Sequence, residues 1–216
     1  MPKKLYIISG LGAGYDVLEK IKFPETVEPI FIPWLVPEKN ESFPHYVERM
    51  ASGINGEEGF FLMGYSFGGF IVQEIDKIIP AEKVVILASI KSDSEKPFLL
   101  KMFQRTRLAP FIPIWIFNEK SYRSYIWFRN LITSKGIKVM RFFKVKDAYY
   151  LKWSIAKIVH WQFSANHKTI QISGDKDIVF PIKNSNPDYI IKGGTHLFPA
   201  IKANEVSRIL SEIFRC

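Results

Sequence analysis

Cysteine is nearly absent: the 216-residue chain has one, Cys216, at its last position. A single thiol cannot close an intramolecular disulfide, and at the terminus it is too peripheral to anchor a catalytic dyad, so a reducing cytoplasm is the expected setting. Long hydrophobic runs are also missing. The stretches VVILA and IPIWIF fall far short of the roughly 18–20 residues that cross a bilayer, and no integral membrane segment is expected. No group of His, Cys and Asp shows metal-ligand spacing, so no metal is expected. Internal repeats and low-complexity tracts are absent as well. The opening MPKKLYIISGLGAG places basic residues before an apolar stretch, as a signal peptide does. The stretch is short and breaks into glycines without a cleavage site, which makes it a first buried strand.

What the chain does have is 47% hydrophobic residues, enough for a sizeable core in one or two domains. Its formal net charge of +9 is concentrated in one segment: residues 91–160 hold fifteen Lys or Arg against four Asp or Glu, and fourteen of the 32 aromatic residues. That segment is too hydrophobic for a disordered linker. Leu151, Ile155, Ile158 and Val159 form an apolar stripe at helical spacing, so a mainly helical insertion over 91–162 is expected, between core segments 1–90 and 163–216. A basic, aromatic surface also suggests a binder of nucleic acid or anionic membrane. Lysines and arginines punctuating the helices of an apolar insertion equally keep it soluble, and no nucleic-acid motif accompanies them, so no nucleic-acid partner is expected. Nothing in the sequence bears on oligomeric state.

Either side of the insertion, short β-branched or aromatic runs alternate with amphipathic ones, the pattern of a parallel sheet covered by helices. Six strands are expected, near Leu5–Ser9, Ile30–Trp34, Phe60–Tyr65, Val84–Ala88, Thr169–Ile172 and Tyr189–Ile191. FPHYVERMASGI, FGGFIVQEIDKII and NEVSRILSEIF read as helices, the last with Val206, Ile209, Leu210 and Ile213 on one apolar face.

The most informative stretch is FFLMGYSFGGF, residues 60–70, where an apolar strand meets a helix at Ser66. A serine on a sharp strand-to-helix turn projects its hydroxyl above the sheet, and the crowded backbone needs small residues two before and two after it. Gly64 and Gly68 meet that need, and Gly69 lets the helix approach the neighbouring strand. The bland alternative is a turn with incidental glycines. A nucleophilic serine requires a histidine base and usually a carboxylate to orient it. Of four histidines, His45 starts a surface helix, and His160 and His167 flank the end of the insertion, where structural roles are expected. His196 follows the sixth strand after two glycines and is the candidate base. Two acids, Asp175 and Asp177, follow the fifth strand in TIQISGDKDIVFP, and the order serine, acid, histidine holds for either.

These motifs resemble those of the α/β-hydrolase superfamily: GYSFGG is similar to its nucleophile elbow, Gly174, Asp177 and Pro181 to its acid loop, and GGTH to its histidine loop. The resemblance covers Lys4 to about Ile90 and Thr169 to Cys216. It implies an α/β fold with a six-stranded, mostly parallel sheet, lacking the family's opening antiparallel hairpin and carrying a helical lid after the fourth strand. It selects Asp177 as the acid, with Asp175 a turn residue. It also implies that ISGLGAG is the oxyanion loop, with Ser9 in place of the usual histidine and the backbone amides of Leu11 and Phe67 as donors. Gly10, Gly12 and Gly14 invite comparison with a dinucleotide fingerprint, but Tyr15 stands where a glycine is demanded and no acid ends the second strand, so no cofactor is expected. The implied activity is hydrolysis of a carboxylic ester or thioester with a small or medium apolar acyl group. A non-hydrolytic use of the fold is the alternative; GYSFGG is also similar to lyase members whose elbow is followed by arginine, where this chain has Phe70.

Overall fold

The computed structural model describes residues 1–106, 147–164 and 168–215. His167 and much of the expected 91–162 insertion lie outside the described residues. In chain order the elements are β1 (Lys3–Ile8), β2 (Val27–Phe31), α1 (Phe43–Ala51), β3 (Phe61–Tyr65), α2 (Phe67–Ile78), β4 (Lys83–Leu87), α3 (Phe98–Thr106), α4 (Ala148–His160), β5 (Thr169–Gly174), β6 (Tyr189–Ile191), α5 (Phe198–Ile201) and α6 (Ala203–Ile213). The strands form one six-stranded sheet in the order β2-β1-β3-β4-β5-β6, and every neighbouring pair is parallel.

Side-chain alternation divides the core into two layers. Leu5, Ile7, Phe61, Met63, Val85 and Leu87 face one side, where Val206, Ile209, Leu210 and Ile213 of α6 cover them. Tyr6, Ile8, Leu62, Val84 and Ile86 face the other, under Tyr46, Val47 and Met50 of α1 and Phe70, Ile71 and Ile75 of α2. The strand order sets the position of the site. From β1 the chain moves outward to β2, and from β3 it moves the opposite way to β4, so the segments leaving β1 and β3 part to opposite faces. Such a reversal opens a crevice at the carboxyl ends of the two strands.

Two expectations shift. The second strand is Val27–Phe31, not Ile30–Trp34. Pro29 makes VEPIF a poor strand by propensity, yet β2 is an edge strand, where a residue without an N–H is tolerated. In α4 the buried face carries Tyr150, Trp153, Ser154 and Val159, while Leu151, Ile155 and Ile158 are only half-buried. The aromatic side chains outweigh the aliphatic stripe. Tyr150 and Trp153 reach Trp34 and Tyr46 at ring distances of 5.8 and 4.6 Å, and Trp153 Nε1 donates to the Glu41 carbonyl at 2.9 Å. The helix is capped by Asp147, whose carboxylate accepts from the Tyr150 amide at 2.6 Å. Among the described residues no helix is long and apolar enough to cross a membrane.

Lys96 ties the segment after β4 to the end of α4. Its side chain is fully buried and donates to the carbonyls of Val159, at 2.8 Å, and Trp161, and to Gln104 Oε1 at 3.3 Å. The two main-chain carbonyls lie at the C-terminal end of α4, which leaves them without helical partners. Burial depresses the ammonium pKa from 10.5 to about 8. Between those values the unfolded chain holds the proton and the folded one releases it, so this group's contribution to stability rises with pH across that window. Comparing urea unfolding of wild type and Lys96→Met from pH 7 to 10 should therefore show the wild type gaining relative to the variant above about pH 8. A constant gap would mean that Lys96 titrates normally.

Candidate active site

Ser66 joins β3 to α2 with φ 53° and ψ −118°, a left-handed conformation that costs a non-glycine residue on the order of 1–3 kcal/mol. The surroundings hold it there: the Ser66 amide donates to the Leu87 carbonyl at 2.8 Å, and the Gly69 amide donates to the Ser66 carbonyl at 2.9 Å. The packing requires the absent side chains. A Cβ at Gly64 would lie 2.4 Å from the Gly68 carbonyl group, one at Gly68 2.2 Å from the Ile8 carbonyl oxygen, and one at Gly69 2.4 Å from Ser89 Oγ beyond β4. The glycines thus let α2 start against both neighbouring strands, with the serine hydroxyl left above the sheet.

His196 lies between β6 and α5, on a loop folded back by Gly193 and Gly194. Gly193 takes φ 67°, and the Gly194 carbonyl accepts from the Lys176 amide at 2.9 Å, tying the histidine loop to the acid loop. The imidazole Nε2 is 2.9 Å from Ser66 Oγ, and Nδ1 is 2.8 Å from Asp177 Oδ2. Asp177 is buried, and its other oxygen accepts from the amides of Val179, at 2.7 Å, and Phe180, at 3.1 Å. A buried carboxylate held by two amides and an imidazole has its hydrogen-bonding capacity well used. Tyr65 and Phe180 flank the imidazole at ring distances of 5.6 and 5.8 Å, and Tyr65 Oη donates to the His196 carbonyl at 3.1 Å.

The structure thus brings Ser66, His196 and Asp177 into one hydrogen-bonded line. Asp175 is half-buried, and its Oδ1 has no hydrogen-bond partner among the described residues. His45 turns to Glu41 at 2.7 Å, a carboxylate that Arg49 also holds. His160 ends α4 on the surface.

The loop Ser9–Gly14, at the carboxyl end of β1, lies against the elbow. A Cβ at Gly10 would stand 3.3 Å from Ser66 Cβ. The loop turns at Gly12, φ 62°, closed by the Ala13 amide donating to the Gly10 carbonyl at 2.9 Å and by Ser9 Oγ donating to the Gly14 carbonyl at 3.0 Å. Ser9 therefore stabilises its own loop where the superfamily's histidine usually stands. Phe67 is the first residue of α2, so its amide has no partner within the helix. Among the described residues neither the Leu11 nor the Phe67 amide donates to a protein acceptor. Two contributors to this loop escaped the motif reading. The Gly12 amide donates to the phenol oxygen of buried Tyr150 at 3.2 Å, and Trp34 Nε1 donates to the Gly10 carbonyl at 2.9 Å. Burial pushes the Tyr150 hydroxyl pKa far above the usual tyrosine value, so it stays protonated. Neither residue sits in a recognisable motif, and the sequence pattern places Trp34 within the second strand, not beyond its end.

The backbone contact at the elbow has a direct test. Gly64→Val should cost roughly 3 kcal/mol or more, because the obstructing atoms are main chain and cannot swing aside. Gly53→Ala, where an added Cβ meets nothing within 4 Å, should leave thermal unfolding unchanged. Equal melting temperatures for the two variants would refute the packing described.

No protein-family model and no curated protein matches the sequence. Solved structures do. A thermophilic esterase from Thermogutta terrifontis is 12% identical with a TM-score of 0.62, over 100% of this chain and 90% of its own. BpoC from Mycobacterium tuberculosis H37Rv, designated a non-heme bromoperoxidase, is 14% identical with a TM-score of 0.67, over 99% and 92%. A type II thioesterase of the yersiniabactin biosynthetic pathway is 10% identical with a TM-score of 0.59, over 98% and 92%. Identities this low speak to fold alone. The strand order, the elbow and these likenesses together give the chain the α/β-hydrolase fold.

Proposed function

We propose that the protein is a serine hydrolase that cleaves carboxylic esters or thioesters of small or medium apolar acyl groups. The observation that carries this reading is the continuous line from Ser66 Oγ through His196 to Asp177, with both contacts under 3 Å, at an elbow where the serine is held in a strained conformation.

In this mechanism Ser66 Oγ attacks the substrate carbonyl while His196 Nε2 takes its proton. Asp177, hydrogen-bonded to Nδ1, holds the imidazole in the tautomer that leaves Nε2 free to accept, and stabilises the imidazolium that forms. The amides of Leu11 and Phe67 receive the tetrahedral oxyanion, the second aided by the positive end of α2. The imidazolium then returns its proton to the departing alcohol or thiol, leaving an acyl-serine. A water activated by His196 hydrolyses that ester and restores the enzyme. Aromatic side chains around the elbow support an apolar acyl group: Trp34 stacks on Phe67 at 5.5 Å, and Phe43 lies 6.3 Å from the same ring. The esterase and thioesterase among the solved structures support the same class.

A fluorophosphonate probe should add one adduct per chain by intact mass, lost in Ser66→Ala, and nitrophenyl esters should be turned over by the wild type alone. An unlabelled but well-folded wild type would reject the reading. The two acids separate cleanly. Asp177→Asn should lower kcat by on the order of 10³–10⁴-fold while the fold survives, since the amide oxygen can still accept from Val179 and Phe180. Asp175→Asn should be nearly silent, and steady-state kinetics giving the reverse order would move the acid two residues upstream.

A further inference from the structure

The Gly10–Leu11 peptide carries two groups with opposite duties. Its N–H, on Leu11, is the oxyanion donor of the proposed reaction. Its C=O, on Gly10, accepts from Trp34 Nε1 at 2.9 Å and from the Ala13 amide at 2.9 Å. Because a trans peptide is planar, its C=O and N–H point in opposite directions, and fixing one fixes the other. The Ala13 bond belongs to the loop itself and moves with it. The Trp34 bond is different: it comes from the segment after β2, a separate part of the fold, and so references the loop to the sheet.

Trp34 also meets the other donor's residue. Its ring lies 5.5 Å from that of Phe67 at an interplanar angle of 5°, and Phe67 is the first residue of α2. The indole also approaches Tyr150 at 5.8 Å, whose phenol oxygen receives the amide of Gly12, the next peptide of the same loop. One side chain is therefore hydrogen-bonded to the loop of the first donor and stacked on the residue of the second. Backbone amides stabilise an oxyanion only when aimed where charge develops, and a glycine-rich loop left to itself has the freedom to turn its peptides away. We infer that Trp34 is a positioning residue of the oxyanion hole, setting the direction of the Leu11 N–H through the Gly10 carbonyl and keeping it in register with Phe67. The inference rests on the hydrolase reading above. It assigns a task to a residue that touches neither the nucleophile nor its base in the described contacts.

Trp34→Phe keeps an aromatic ring for Phe67 and removes the indole N–H. With p-nitrophenyl butyrate as substrate, kcat should fall about tenfold to a hundredfold, with KM within about threefold of wild type. An aliphatic trifluoromethyl ketone, which forms a tetrahedral oxyanion on the serine, should lose affinity by the same factor as kcat. The matching methyl ketone, which binds without activation, should bind as before. A residue that only supports the fold or lines the pocket would not split the two ketones. Replacing Trp34 by 3-benzothienylalanine, which substitutes sulfur for the N–H within the same ring outline, repeats the test without a change of shape should the phenylalanine variant unfold.

Selective loss of kcat and trifluoromethyl ketone affinity in either replacement supports the inference. Unchanged kcat, or parallel weakening of both ketones with a raised KM, overturns it while leaving the hydrolase reading intact. A wild type that neither hydrolyses the ester nor takes a fluorophosphonate overturns the hydrolase reading and this inference with it.

Discussion

The contact on which the site depends is main chain against main chain. Where β3 passes into α2, the missing Cβ of Gly64 would fall 2.4 Å from the Gly68 carbonyl group, and that of Gly68 would fall 2.2 Å from the Ile8 carbonyl oxygen. With no side chains between them, the helix can begin directly above the carboxyl edges of β1 and β3. Ser66 is then pulled into a left-handed conformation that the Leu87 and Gly69 hydrogen bonds keep closed. The strain resides in two dihedrals, and the parallel sheet on both sides over-determines them. An elbow of this kind is rigid because relaxing it would require moving a buried strand.

Around that point the fold assembles its polar parts from distant segments. The acid loop follows β5, the histidine loop follows β6, and the two are joined by the Lys176 amide donating to the Gly194 carbonyl. Asp177 is buried but not isolated: two amides and the imidazole absorb its lone pairs, which keeps a charged group tolerable in an apolar setting. The loop after β1 is bound by groups from after β2 and from α4, through Trp34 and Tyr150. The loop beside the crevice, where the chain reverses its direction across the sheet, is thus held by groups from both sides of the reversal.

Much of this was legible because short-range constraints leave a mark on composition. Glycines at 64, 68 and 69 record a steric exclusion, and the alternating strands and the stripe Val206, Ile209, Leu210, Ile213 record burial; α6 buries those four residues. The position of His196 after paired glycines likewise reflects loop geometry, whereas Asp177 is separated from Asp175 only by the resemblance of its segment to the superfamily's acid loop. What escaped were features decided by tertiary context. Pro29 argues against a strand until β2 is known to be at the edge. Leu151, Ile155 and Ile158 look like the packed face of α4 until Tyr150 and Trp153 find partners across the core. Trp34 and Tyr150 reach the loop from 24 and 138 residues away in sequence, and no local pattern encodes a contact at such separation. Lys96 is a basic residue in a basic segment by sequence, yet it lies fully buried with carbonyl partners.

A nucleophilic Ser66 must carry the acyl group during turnover, and rapid-quench peptide mapping can catch it there. Wild-type protein mixed with p-nitrophenyl butyrate and quenched in acid within the first turnovers should yield a butyrylated peptide containing Ser66, formed and lost at rates consistent with steady-state hydrolysis. Turnover with no acyl group on that peptide, or with the acyl group on another residue, would show that Ser66 is not the nucleophile.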